Sequence, residues 1–141
     1  MPNEDFLNQI VNEIFQITSP KIDGARNPQI KEFIKITING DTTKAYLVVD
    51  VALQGKPGIF VYVLTNARLI QFEIGAEEEI KSASFLLNTI IGVERKLIEG
   101  DNRTEVKVNF PRASVGLKYN GKNQKITQFF QIVEQSWVKG T

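Results

Sequence analysis

Apolar residues recur at helical spacing from the start of the chain. Phe6, Leu7, Ile10, Val11, Ile14 and Phe15 share one face, while Asn8, Gln9, Asn12, Glu13 and Gln16 make the other polar. Asn3 suits an N-cap, and Glu4 and Asp5 suit the positive end of the helix dipole. Ser19-Pro20 ends this helix, and Pro20, Gly24 and Pro28 mark residues 20–28 as a loop. Asn27-Pro28 reads as a cap followed by proline at the first helical position, opening a short turn through Ile30, Phe33 and Ile34. Ile36 and Ile38 alternate, so this piece is helical or turns extended before Asn39-Gly40.

From Lys44 the period switches to two. Ala45, Leu47, Val49, Val51 and Leu53 alternate with their neighbours and predict a first strand. Gly55-Lys56-Pro57-Gly58 predicts a turn, and residues 59–64, dense in β-branched and aromatic side chains, a second strand. Thr65-Asn66 makes a tight connection to a third strand at 69–74. Gly75 and Glu77-Glu78-Glu79 then form a solvated loop. Strands four and five are expected over about 80–87 and 90–98. In strand six, Thr104, Val106, Val108 and Phe110 oppose Arg103, Glu105, Lys107 and Asn109, the pattern of a sheet with one wet face. Strand seven holds Val115, Leu117 and Tyr119. An amphipathic helix over about 122–138 follows, its stripe made by Ile126, Phe129, Phe130, Val133 and Trp137. Strands do not alternate with helices, which argues against a doubly wound sheet.

Composition narrows the chemistry. The chain has 141 residues, the length of one ordinary domain. Cysteine and histidine are both absent, which removes thiol nucleophiles, disulfides, zinc–thiolate sites and imidazole acid–base catalysis. Carboxylate- and lysine-based catalysis remain open, but no enzyme activity and no cofactor are expected. No run of 18 apolar residues spans a bilayer, and no basic region leads into an apolar core at the N-terminus, so the expected location is the cytoplasm. Asn102-Arg103-Thr104 matches a glycosylation sequon by chance on that reading. Charge is uneven: residues 1–80 carry 7 basic and 11 acidic side chains, and residues 81–125 carry 9 and 4.

Seven short strands followed by one helix, with the junction Val63-Leu64-Thr65-Asn66-Ala67-Arg68-Leu69-Ile70, the run Ile90-Ile91-Gly92-Val93 and a final helix carrying Phe129, Phe130 and Trp137, resemble the bacterial pleckstrin-homology (PH)-like family. Val63-Leu64-Thr65-Asn66-Ala67-Arg68-Leu69-Ile70 is similar to the LTNxRL junction between early strands of that family. Ile90-Ile91-Gly92-Val93 falls where the family has an Ile-x-x-Val pattern. The final helix, with Phe129, Phe130 and Trp137, resembles the one that plugs an open corner of the PH sandwich. The resemblance covers roughly residues 44–138. It implies a seven-stranded antiparallel sandwich or partly open barrel capped by a C-terminal helix. Residues 1–40 then form a helical N-terminal extension and 41–141 the PH-like domain. It also implies a binding module: a protein-interaction or scaffolding domain, self-associating or with an unknown protein partner, or alternatively a peripheral lipid-headgroup binder.

Each candidate site carries a functional and a structural interpretation. Headgroup binding relies on converging basic residues; here only Lys44, Lys56 and Arg68 offer themselves, and Ile59-Phe60-Val61-Tyr62 replaces the basic pair at the start of strand two. Thr65 and Asn66 read as a structural hairpin turn before they read as a ligand site. Gly116-Leu117-Lys118-Tyr119-Asn120-Gly121-Lys122-Asn123 approaches a phosphate-binding loop but ends in Asn123 where a serine or threonine is needed. The three consecutive glutamates are a solvated loop before they are a cation site. Arg95, Lys96, Arg103, Lys107 and Arg112 would make a basic patch, yet interleaved acids favour cross-strand pairing over nucleic-acid binding. The first helix needs a cover for its apolar face, with Phe6, Ile10 and Ile14 as the candidate interaction surface. Its cover is its own domain or another chain, including a second copy. An anionic membrane would repel it, since residues 1–20 hold three acids and no lysine or arginine.

Overall fold

The computed structural model describes residues 2–18, 21–53, 56–75 and 79–140, leaving aside the side chains of 2, 3, 51–53, 56, 57, 101 and 138–140. Among them the chain is mainly β, with seven antiparallel strands in two sheets and helices at both ends. Neither sheet closes into a barrel. The order is α1 (Pro2–Gln16), α2 (Asn27–Ile38), β1 (Thr43–Leu53), β2 (Lys56–Thr65), β3 (Arg68–Gly75), β4 (Ile80–Leu86), β5 (Gly92–Ile98), β6 (Arg103–Phe110), β7 (Ala113–Asn120) and α3 (Gln124–Gly140). No helix among the described residues is long and apolar enough to cross a membrane. The chain forms two compact units.

The first unit holds residues 1–66 and 70–84. Its sheet is a meander in the order β1-β2-β3-β4. Leu7, Ile10 and Ile14 of α1 and Ile30, Ile34 and Ile38 of α2 share one core with Ile59, Val61 and Val63 of β2 and Ile70, Phe72 and Ile74 of β3. Phe33 meets Phe72, and Phe6 meets Tyr46, both edge-to-face. Helix α2 runs through to Ile38, which settles the open choice there. Ile30, Ile34 and Ile38 stand four apart and are buried, whereas Ile36 points to solvent, so the period is helical. The helix stops where Asn39 turns left-handed (φ 51°) and donates its N–H to the Lys35 carbonyl. An ion pair between Lys31 and Glu4 ties α2 to α1. Arg26, ahead of α2, donates to the carbonyl oxygens of Gly75 (2.8 Å) and Glu79 (3.4 Å), anchoring both ends of the β3–β4 connection. Lys56, Pro57 and Gly58 are strand rather than the expected turn: Leu53 faces Lys56 and Ala52 faces Pro57. Proline is tolerated so close to a strand's start.

The second unit holds residues 67–69 and 85–141. Strands β5, β6 and β7 pair in that order, leaving β5 and β7 outermost in their sheet. The expected alternation in β6 holds, with Val106, Val108 and Phe110 buried. Strand five begins at Gly92, later than expected, because residues 87–89 form a 3-10 turn that buries Leu87 and Ile90. Phe85 stacks on Phe110 with ring centroids 4.7 Å apart. Helix α3 opens after Asn123, whose Oδ1 accepts the Ile126 N–H at 3.3 Å. It buries Ile126, Phe129, Phe130 and Val133 and leaves Trp137 partly exposed.

Candidate functional site

The helical face whose cover the sequence leaves open between its own domain and another chain is covered within the first unit. Ile10 and Ile14 are 0 % exposed in the core of the first unit, and Phe6 lies half-buried against Tyr46. Ile10 and Ile14 therefore offer no free surface; they pack with the chain's own sheet and α2.

Two of the three basic candidates, Lys44 and Lys56, do not converge. In the β1–β2 register, Leu53 faces Lys56 and Thr43 faces Thr65, so Lys44 and Lys56 stand at opposite ends of the hairpin. Nine residues of β2 at about 3.3 Å each place roughly 30 Å between those ends. Lys44 is exposed, Arg68 is half-buried at the start of β3, and the Lys56 side chain lies outside the described ones. The junction beside Arg68 is a structural knot. The Thr65 hydroxyl donates to Asp41 at 2.9 Å, the Asn66 Oδ1 accepts the Thr42 N–H at 3.1 Å, and the Asn66 N–H donates to the Thr42 carbonyl at 2.9 Å. Thr65 is fully buried, so its hydroxyl serves this tie and not a ligand.

The basic patch is divided by the pleat. Facing residues of an antiparallel pair share a side of the sheet. Lys96 faces Glu105, Glu94 faces Lys107, and Lys118 lies 3.9 Å from Glu105, all on the wet side. Arg95 faces Val106 on the other side and pairs with Glu134 of α3 at 3.1 Å. The phosphate-loop look-alike is mostly ladder, since Gly116 to Asn120 belong to β7 and cannot wrap an anion. Glu77 and Glu78 lie outside the described residues. Among the described residues no cluster of carboxylates could hold a metal. An open recess at the start of α3 is lined by Gly121, Lys122, Gln124, Thr127, Gln128 and Gln131, with Lys122 its one charge.

Among the described residues, Glu4, Tyr46 and Tyr62 are displaced from their ordinary titration, each by its structural surroundings. The Lys31 hydrogen bond and charge hold the Glu4 carboxyl below its usual range. Burial, then a hydrogen bond to Glu13 and that carboxylate's charge, push the Tyr46 hydroxyl up to about 12. Burial, aided by the Glu73 charge, pushes Tyr62 up as well. A raised folded-state value means the native chain keeps its phenol protons while the unfolded chain loses them near pH 10. That contribution is complete below about pH 10 and fades as pH climbs towards 12. Urea melts between pH 8 and 11 are thus expected to show falling midpoints above about pH 10, with a shallower fall in Tyr46→Phe.

What the structure leaves open is the outer edge of β5. Glu94, Arg95, Lys96 and Leu97 are consecutive exposed residues on a strand that, among the described residues, has a paired neighbour on one side only. Leu97 is 65 % exposed although it shares its side of the sheet with buried Val106 and Val108. Leu86 and Ile91, just upstream, are exposed too. An outer strand also presents an unused row of backbone N–H and C=O groups. Sequence reasoning passed over this edge. The available signal was Arg95, a charge standing in the row of Val93 and Leu97 where a covered strand would be apolar throughout. No protein-family model and no curated protein matches the chain.

Proposed function

We propose that the chain is a non-catalytic protein-interaction module on a PH-like scaffold, acting in the cytoplasm, with the outer edge of β5 as its recognition surface. The observation that carries this is Leu97, a large apolar side chain 65 % exposed on an outer strand. An extended segment adding to such an edge gains main-chain hydrogen bonds from the open row and specificity from alternate side chains. Seven antiparallel strands followed by a helix, and the Thr65-Asn66 junction between β2 and β3, support the PH-like assignment. The lipid-headgroup alternative draws no support from Lys44 and Lys56 at opposite ends of one hairpin.

Site-specific crosslinking tests the surface. A photo-reactive residue replacing Leu97, introduced in cells that express the chain, is expected to form an adduct of discrete mass. The same residue at exposed Gln128 of α3 is expected to form none. Silence from position 97 contradicts the assignment.

A further inference from the structure

We propose that β5 pairs antiparallel with β5 of a second copy, centred on Arg95, so that two three-stranded sheets join across a two-fold axis. This rests on β5 as the recognition surface and names its partner.

The argument begins with register. Residues facing each other in an antiparallel pair share hydrogen-bonding parity, so a two-fold pair must be centred on a residue. Centring on Glu94 sets two glutamates face to face and Val93 against Arg95. Centring on Lys96 opposes two lysines and sets Arg95 against Leu97. Centring on Arg95 places Glu94 opposite the partner's Lys96 and Val93 opposite the partner's Leu97, each twice by symmetry.

The charges already present extend this match. On the wet side, Lys107 faces Glu94 within one chain, and Lys96 faces Glu105, which lies beside Lys118. Joined at Arg95, that side reads Lys107, Glu94, the partner's Lys96, the partner's Glu105 and the partner's Lys118, alternating in sign throughout. On the other side, the exposed Leu97 gains an apolar neighbour. The two arginines at the centre are each neutralised by their own Glu134, at 3.1 and 3.2 Å from its two oxygens. Charges on an outer strand ordinarily discourage pairing. Here their order discourages the neighbouring registers and favours one.

Charge reversal in separate chains tests both the partner and the register. Glu94→Lys makes both facing pairs lysine–lysine, and Lys96→Glu makes both glutamate–glutamate. Both positions are exposed, and circular dichroism melts serve as the check that each variant folds. By light scattering, the parent chain is expected to be dimeric, and each variant alone to dimerise at least about tenfold more weakly. Mixed in equal amounts, the two variants regain complementary pairs and are expected to form a heterodimer close to parental affinity. A parent chain that stays monomeric across its soluble range overturns the pairing. So does a dimer that both variants retain, or a mixture that stays monomeric. If the parent is monomeric but position 97 still crosslinks to a different protein, the pairing fails while the recognition surface stands; silence from position 97 removes both.

Discussion

A chain lacking residues 1–20 is expected to lose the cooperative folding of its first unit. Leu7, Ile10, Val11 and Ile14 are all buried. At about 1.5–3 kcal/mol for each buried aliphatic side chain, their removal forfeits an amount comparable with the 5–15 kcal/mol that holds a whole domain together. The truncation also uncovers Ile59, Val61, Ile70 and Phe72, which share that core. Ile14→Ala is the graded version, since Ile14 is 0 % exposed within the core of the first unit. A cost of about 2–5 kcal/mol is expected, read from the shift in urea midpoint at unchanged slope. A truncated chain that still unfolds sharply, at the parental midpoint, would show that α1 is an appendage.

Gly116→Val is expected to disrupt the second sheet as severely as any single change in it. Gly116 faces Lys107 across the β6–β7 ladder. A Cβ there would stand 2.3 Å from the Val106 carbonyl oxygen and 3.1 Å from the Lys107 Cα. Both obstacles are backbone, so no side-chain rotation relieves the overlap, and the strands must separate locally. Even Gly116→Ala meets this clash. Its smaller unfolded-state entropy would stabilise by about 0.4–1 kcal/mol, against about 1–3 kcal/mol from overpacking, so the net effect is a loss. Valine adds two methyl groups to the same overlap. Urea melts of both variants check the order: parent, then alanine, then valine. An alanine variant as stable as the parent would mean that β7 shifts freely at this position.

The strands were legible because their side chains answer to two environments at period two, most plainly in Arg103 to Phe110. Helix α3 was legible for the same reason at period 3.6. The second helix was ambiguous because Ile34, Ile36 and Ile38 satisfy a strand locally, and only Ile30, four residues before Ile34, makes the helical row decisive. The amphipathic first helix announced that one face must be covered, but amphipathicity does not encode what covers it. That is a matter of tertiary packing, and here the cover is α2 and the sheet. The headgroup candidates failed for a related reason. Lys44, Lys56 and Arg68 are close along the chain, but a hairpin of ten-residue strands carries two of them to opposite ends. The edge of β5 was the least visible, since its meaning depends on strand order. Glu94, Arg95 and Lys96 look like ordinary surface charge until β5 is known to lie outermost and its register with β6 is fixed.

The claim that Leu97 belongs to a recognition surface and not to the core is tested most directly by the solution mass of Leu97→Lys beside the parent chain, with a urea melt of the same samples. The account predicts stability within about 0.5 kcal/mol of the parent, as for an ordinary surface substitution, together with loss of self-association. A variant that associates as the parent does would remove Leu97 from the association surface, and one destabilised by more than about 2 kcal/mol would place it in the fold's own packing; either result contradicts the account.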